Sequence, residues 1–324
     1  MSKFIGRLAD IGIAIETTRG TAEASADFWL PKQSMSMDDG IEQVVNESSV
    51  GVIEDSPGAS ITGKFAVGEI EGNIYDESFG CLLLATFGAV STSGPDETTV
   101  YTHTFTVDQS AQHDSLTIFL DDGNQDYKYA LAMIESLELD ISLGQFARYS
   151  TSIRSKVGET ASLSPSYSSE NHFLPQHGSV KIASAVSGLG AASAIDIKMA
   201  RLTISKNIED DRVLGSINQA DILNKQFAVE GQIELIFDDE TFKTEMLADT
   251  AQAMRIRLTN SDVTIGAALN PQITIDLAKV KFSNFAKNYS NNDIVTATVD
   301  FKAFYDTGES SMIEVELINE HSAY

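Results

Sequence analysis

His172 and His177 are the only close pair among five histidines, and no cysteine or acidic cluster flanks them at zinc-ligand spacing. Asp122-x-Asn124-x-Asp126 opens like a calcium loop, but Tyr127 stands where that loop needs glycine and Met133 where it needs glutamate. A hairpin turn is the expectation there. Gly188-Leu189-Gly190 begins like a dinucleotide fingerprint but ends in Ser193, with no buried strand ahead of it. Neither a nucleophile elbow nor a P-loop occurs. Cys81 sits in an apolar run, where a small buried hydrophobe is expected rather than a reactive thiol. With 47 acidic residues, carboxylate pairs arise by coincidence, so no catalytic, cofactor or metal residue is assigned and no cofactor is expected.

With chemistry absent, the organisation of the chain becomes the main signal. Residues 65–86 read FAVGEIEGNIYDESFGCLLLAT and residues 227–249 read FAVEGQIELIFDDETFKTEMLAD. Phe65-Ala66-Val67 matches Phe227-Ala228-Val229 at an offset of 162, and Asp76-Glu77 with Phe79 matches Asp239-Glu240 with Phe242 at 163. One period repeated twice suggests a duplicated domain rather than a solenoid. The 324 residues suffice for two domains, each able to bury its own core. No run of apolar residues is long enough to span a membrane. Arg7, Asp10 and Glu16 interrupt the opening segment, so a secretory route is not expected.

Charge narrows the partners. The formal net charge is −25, divided as −16 up to residue 162 and −9 beyond it, so the acidity is diffuse. Clasping phosphates requires clustered Lys and Arg, and none are clustered here. Tight nucleic-acid binding is disfavoured.

The local pattern is mostly strand. Ile11, Ile13 and Ile15 alternate with smaller residues; Leu137, Leu139, Ile141 and Leu143 alternate with Glu138, Asp140 and Ser142. Val229, Ile233, Leu235 and Phe237 follow the same rule against Glu230, Gln232 and Glu234, as do Ile313, Val315 and Leu317 against Glu314 and Glu316. Residues 115–120 and 294–301 add β-rich runs, and Asp121-Asp122-Gly123-Asn124 reads as a hairpin turn. Each half has one helix. Asp76 is the expected N-cap of the first, with Phe79, Leu82, Leu83 and Thr86 on one face and Gly88 ending it. The second starts near Asp238 or Asp239 and presents Phe242, Met246 and Leu247. The fold class is therefore mainly β, built of α+β units: two homologous β-sandwiches or partial barrels, each with one flanking helix.

The expected boundaries are 1–160 for the first domain, 161–193 for a Ser/Ala/Gly-rich linker and loop, and 194–324 for the second. Polar loops precede both strands of the repeated motif. They are candidate contact arms, represented by Asn46, Glu47, Ser48 and Pro57 in the first and by Glu209, Asp210 and Asp211 in the second.

The opening IAIETTRGTAEASADFWLPKQSMSMDD, with a strand at Met35-Ser36-Met37, and the segment ITGKFAVGEIEGNIYDESFGCLLLATFG resemble tail tube proteins of long-tailed bacteriophages. The resemblance covers most of the first half and, more faintly, the second. It implies a β-sandwich with a flanking helix, assembled into rings of usually six subunits. Inner strands would join across subunits around a DNA-sized lumen, and loops and terminal arms would stack the rings. Duplication adds that three chains with two units each would supply six near-equivalent units, a trimeric pseudo-hexameric ring in place of a true hexamer. Glu69, Glu71, Glu138, Asp140, Glu230, Glu234, Glu314 and Glu316 are candidate lumen residues. An acidic lumen would let DNA pass without specific binding. The partners so implied are the chain itself and the tape measure, tail terminator and distal tail proteins, with assembly in the host cytoplasm and no membrane contact. Two other classes compete: a bilobed β-sandwich adhesion module, which lacks a signal peptide and disulfides, and a carboxylate-based hydrolase, for which Trp29 alone offers little sugar-stacking surface.

Overall fold

The computed structural model describes residues 3–97, 99–291 and 293–324; Met1 and Ser2 of the opening segment, Thr98 and Asn292 lie outside the described residues. The chain is mainly β. The first half runs β1 (Asp10–Ile15), β2 (Phe28–Trp29), β3 (Lys32–Val45), β4 (Ala59–Asn73), α1 (Phe79–Phe87), β5 (Gly88–Asp96), β6 (Val100–Val107), β7 (Leu116–Asp121), β8 (Asp126–Ser142), β9 (Arg148–Ser155) and β10 (Glu159–Ala161). The second runs β11 (Gly178–Ala183), β12 (Ala194–Ile195), β13 (Ile197–Ser205), β14 (Ile208–Asp211), β15 (Asp221–Asn224), β16 (Ala228–Ile236), α2 (Thr241–Leu247), β17 (Gln252–Thr259), β18 (Gln272–Asn288), β19 (Thr296–Ala303) and β20 (Ile313–Asn319). The alternating runs noted in the sequence are strands, except that Leu143 and Phe237 each fall one residue past a strand end, and Asp121–Asn124 makes the turn between β7 and β8, with Gly123 at φ 80.

Strand pairing follows one scheme in each half. In the first, β2–β1–β7 leads to the N-terminal part of β8, which also carries β10, while β3–β4–β9 leads to its C-terminal part. In the second, β12–β11–β17 leads to the N-terminal part of β18, which also carries β20, while β13–β16–β19 leads to its C-terminal part. The irregularities coincide too. Gln33 is skipped in β3 and Lys198 in β13, beside their partners β4 and β16. Glu135 is skipped in β8 and Ser283 in β18. A bulge is a built feature that bends a strand, and its placement is specific.

Matching the halves on these bulges puts Ala66 on Val229, Gly68 on Gly231 and Ile70 on Ile233, an offset of 163 throughout the strand. The Phe-Ala-Val match at 162 is thus one residue out of register. A one-residue slip exchanges the two faces of a strand, and burial decides between them: Ala66, Val229, Ile70 and Ile233 are all fully buried, whereas Gln232 is not.

The halves do not keep separate cores. The C-terminal part of β8 pairs with β13, from Ser142 opposite Met199 to Ser136 opposite Ser205. This seam makes a continuous run of eight strands, in the order β3-β4-β9-β8-β13-β16-β19-β18, within a larger sheet. The β5–β6 hairpin crosses in the other direction, pairing β6 with β20. One apolar cluster runs through both halves, so the expectation of two private cores is corrected. Within the stretch read as linker, Gly178–Ala183 is β11, bonded to β17 along its length.

The two helices differ in setting. All nine residues of α1 are buried, not one face as its spacing suggests. It packs on β1, β5, β6 and β8, and Phe227 covers its end with ring centroids 5.5 Å from Phe87. α2 packs on β18 and has no buried residue. Asp76 does not cap α1. Ser78 occupies the N-cap position without a side-chain cap bond, and Asp76 instead accepts the Asn171 backbone N–H and side-chain amide, both at 2.8 Å. Glu240 is the N-cap residue of α2, while Asp239 accepts the Thr241 N–H at 2.8 Å. Gly88 ends α1 in the left-handed region at φ 83, as its lack of Cβ allows.

Candidate assembly face

The eight-stranded run has one buried and one polar face. On the buried face lie Ile70, Leu137, Leu139, Ile153, Leu202, Ile204, Ile233 and Val299. Direct cross-strand partners share a face, and the other face can be walked strand by strand. Ser36 lies opposite Glu69, Glu69 opposite Ser152, Ser150 opposite Glu138, Glu138 opposite Thr203, Thr203 opposite Glu230, and Glu230 opposite Lys302.

Six of the eight expected lumen acids are therefore brought together: Glu69, Glu71, Glu138, Asp140, Glu230 and Glu234. Asp38 and Asp300 join them. Five bases, Arg148, Arg154, Arg201, Lys281 and Lys302, share the surface and mostly sit on acids. Arg201 bridges Glu138 at 3.2 Å and Asp140 at 3.1 Å, Lys302 meets Glu230 at 2.6 Å, and Arg154 meets Asp210 at 2.6 Å. Arg148 donates to the Gln33 side-chain oxygen at 3.4 Å. Neutral bonds complete the lattice, with Ser34 to Glu71 at 2.8 Å, Gln232 to Asp300 at 2.6 Å and Asn284 to Asp300 at 2.9 Å. Acids outnumber bases, so the face carries net negative charge.

Glu314 and Glu316 lie on β20, apart from the strands that carry the other six. β20 pairs with the N-terminal part of β18 and with β6, which puts Glu314 opposite Asp276 and Thr106, outside the eight-stranded run. Burial, with Asp276 and Glu316 nearby, raises the Glu314 carboxyl above its ordinary range. Alternating patterns in the sequence give a polar face to every strand but do not say which strands share a sheet.

The two expected arms differ. Asn46, Glu47, Ser48 and Pro57 lie at the exposed tip of the long β3–β4 hairpin. Its length also bears exposed Ile41, Val44, Val45, Val50, Val52 and Ile53, an apolar content the sequence reading passed over. The second arm is folded against the first half. β14 and β15 pair with each other, Asp210 is held between Arg154 and Arg212 at 2.6 and 3.0 Å, and Arg212 also bonds Glu42. Glu209 pairs with Lys225 at 2.8 Å, and the Asp211 carbonyl accepts the Ala220 N–H at 2.9 Å. Asp210 is thus an internal tie rather than a free contact.

The motifs set aside above have structural uses. His177 bonds Asp262 at 3.1 Å and accepts the Leu174 N–H at 3.1 Å, while His172 stacks edge-on against Phe146 at 5.0 Å. Asp122 accepts the N–H groups of Asn124 and Gln125, and Asp126 that of Leu163. Among the described residues, no group of three or more His, Cys, Asp or Glu could hold a metal ion. Cys81 is buried, and burial pushes its thiol upward and away from reactivity.

Two perturbed ionisable groups, one buried and one half-buried, were missed. Lys206 is fully buried in the interior and donates to the Ala85 carbonyl at 2.7 Å; burial, with Arg19 nearby, brings its amine down to about 7. Its signal was present, because it follows Ala200, Leu202 and Ile204 at period two on the core face. Glu77 lies with Asp76, Glu170 and Glu320 at the start of α1, and burial first, then these acids, push it up to about 7.

No helix among the described residues is long and apolar enough to cross a membrane. No curated protein matches the chain. A family model described as phage tail tube protein matches residues 6–303, nearly the whole length. A mainly β chain that binds its halves through a strand seam and shows an extended polar sheet face is consistent with that match. The chain belongs to the phage tail tube protein family, and it is a structural protein of the bacteriophage tail.

Proposed function

We propose that the chain is a double wall segment of the tail tube. Each half is one β-sandwich tube unit with a helix, the second beginning near Pro175 rather than at 194. Three chains close a ring of six near-equivalent units, and the rings stack into a conduit for DNA ejection. The observation that carries this is the seam between β8 and β13, where one unit already adds its strand to the next within a single chain. The repeated pairing scheme and its coincident bulges support the duplication.

The polar face with Glu69, Glu71, Glu138, Asp140, Glu230 and Glu234 lines the channel. Net negative charge there repels phosphates and withholds the cation contacts that would make DNA stick. The exposed apolar β3–β4 hairpin makes the contact between stacked rings, because apolar surface in that quantity is stabilised by cover. The role is structural and not catalytic. Its partners are other copies, the tape measure, terminator and distal tail proteins, and assembly takes place in the host cytoplasm.

Negative-stain microscopy of the purified protein tests this. Rings with a central hole, three chains to each by mass, are expected, with tubes at high concentration. Changing Val50, Val52 and Ile53 to serine should leave rings and abolish tubes. Solitary bilobed particles at all concentrations would overturn the proposal, and six chains per ring would overturn the trimer.

A further inference from the structure

The eight-stranded run ends in two bare edges. Among the described residues, β3 pairs only with β4, and β18 beyond Val280 pairs only with β19. Unpaired edges of this length recruit another strand unless something covers them. The seam inside the chain supplies a template for what they recruit. Matched on the bulges, Ser136–Leu139 and Asp140 of β8 correspond to Asn284–Lys287 and Asn288 of β18. Arg201–Ser205 of β13 likewise correspond to Ser36–Gly40 of β3.

We infer that Asn284–Asn288 of one chain pairs antiparallel with Ser36–Gly40 of a second copy, in the register of the internal seam. This rests on the tube proposal and adds to it the edges and the residue pairing. Asn284 then lies opposite Gly40, Phe285 opposite Asp39, Ala286 opposite Asp38, Lys287 opposite Met37 and Asn288 opposite Ser36.

The helices show why the occupant is another copy. α1 is buried by β1, β5, β6 and β8, and residues from across the seam complete the cover at its C-terminal end: Phe227 packs on Phe87, and Lys206 reaches the Ala85 carbonyl. α2 occupies the corresponding place in the second half and lacks any such cover, with Leu247 74% exposed. The position in β3 that corresponds to Lys206 is Ile41, itself 50% exposed. Docking in the seam register carries Ile41 to the end of α2, where Ala248 corresponds to Ala85. Two exposed apolar groups then cover each other. Charge agrees with the register. Lys287, which bonds Glu240 and lies 3.9 Å from the Phe237 ring, becomes the diagonal same-face neighbour of Asp39, which accepts the Gly158 N–H. A head-to-tail contact of this kind closes a ring or extends without limit, and never caps itself as a two-fold dimer.

Cysteine pairing tests the register. Residues directly opposite each other on neighbouring strands are close enough for a disulfide. The double variant Asp38→Cys/Ala286→Cys, oxidised and run without reductant, should give a ladder of covalent oligomers that accounts for most of the protein. Asp39→Cys/Ala286→Cys, one residue off register and on opposite faces, should stay monomeric. If the double variant fails to fold, mixing the single variants should give covalent dimers only. Rings seen by microscopy with no cross-link, or with the off-register pair favoured, would overturn this inference and leave the tube proposal standing. Absence of both rings and cross-links would overturn both.

Discussion

Leu139 lies directly opposite Leu202 across the seam that joins the two halves, and both side chains are buried. The contact belongs to neither half alone. Truncating it leaves a cavity at one of the two strand pairs that the halves share, the other being β6 with β20. Leu202→Ala should lower unfolding free energy by about 2–5 kcal/mol, the usual cost of removing a buried leucine. A urea midpoint shift at unchanged slope is the expected result, and a shift confined to one half would contradict the shared core.

Glu69→Lys with Glu71→Lys should turn the polar face from repelling to retaining DNA. Neither position contributes to the buried core, so assembly should persist. Retention of duplex DNA by assembled variant tubes should be strong at low salt and fall steeply as salt rises, since each new phosphate contact releases counterions. Unchanged, negligible retention in the double variant would remove these acids from the channel.

Glu77 gives a pH dependence of definite sign. Its folded-state value of about 7 lies above the ordinary 4.5, so between those limits the folded state holds more proton than the unfolded. Its contribution to stability therefore falls as pH rises from 4.5 to 7. Glu77→Gln should remove that loss, and the Tm of the variant relative to the parent should grow from pH 5 to pH 8. A constant difference would show that the carboxyl is not perturbed by its burial.

Lys206 acts in the opposite sense. Its amine, brought from 10.5 to about 7, binds less proton in the folded state across that window, so stability rises with pH between 7 and 10.5. Lys206→Met should give a Tm advantage that is larger at pH 6 than at pH 9. Calorimetry at the two pH values decides it, and an advantage that grows toward pH 9 would reverse the assignment.

Much of this was legible in the sequence because strands that bury one face must alternate. Leu137, Leu139 and Ile141 against Glu138 and Asp140 gave β8 its faces without any structure. What alternation cannot carry is the partner of each strand. Glu314 and Glu316 have the same local pattern as Glu230 and Glu234, yet their strand pairs with β6 and the N-terminal part of β18, away from the run that joins β4, β8 and β16. The repeated motif sets Phe65 against Phe227, whereas the strand pairing sets Gly68 against Gly231. Phe-Ala-Val is a stronger match to the eye than Gly68 with Gly231, while backbone pairing follows burial. Asp76 failed as a cap for a tertiary reason: Asn171, distant in sequence, offers its carboxylate two donors.

The β5–β6 hairpin bears on how the chain is made. β6 finds its outer partner only in β20, and His103 bonds Asn319, 216 positions later. A nascent chain leaving the ribosome carries that hairpin with one flank unmatched until nearly everything else has been translated. Completion of the first-made portion is thereby deferred to the last-made one, so a truncated product exposes an adhesive border instead of a finished half.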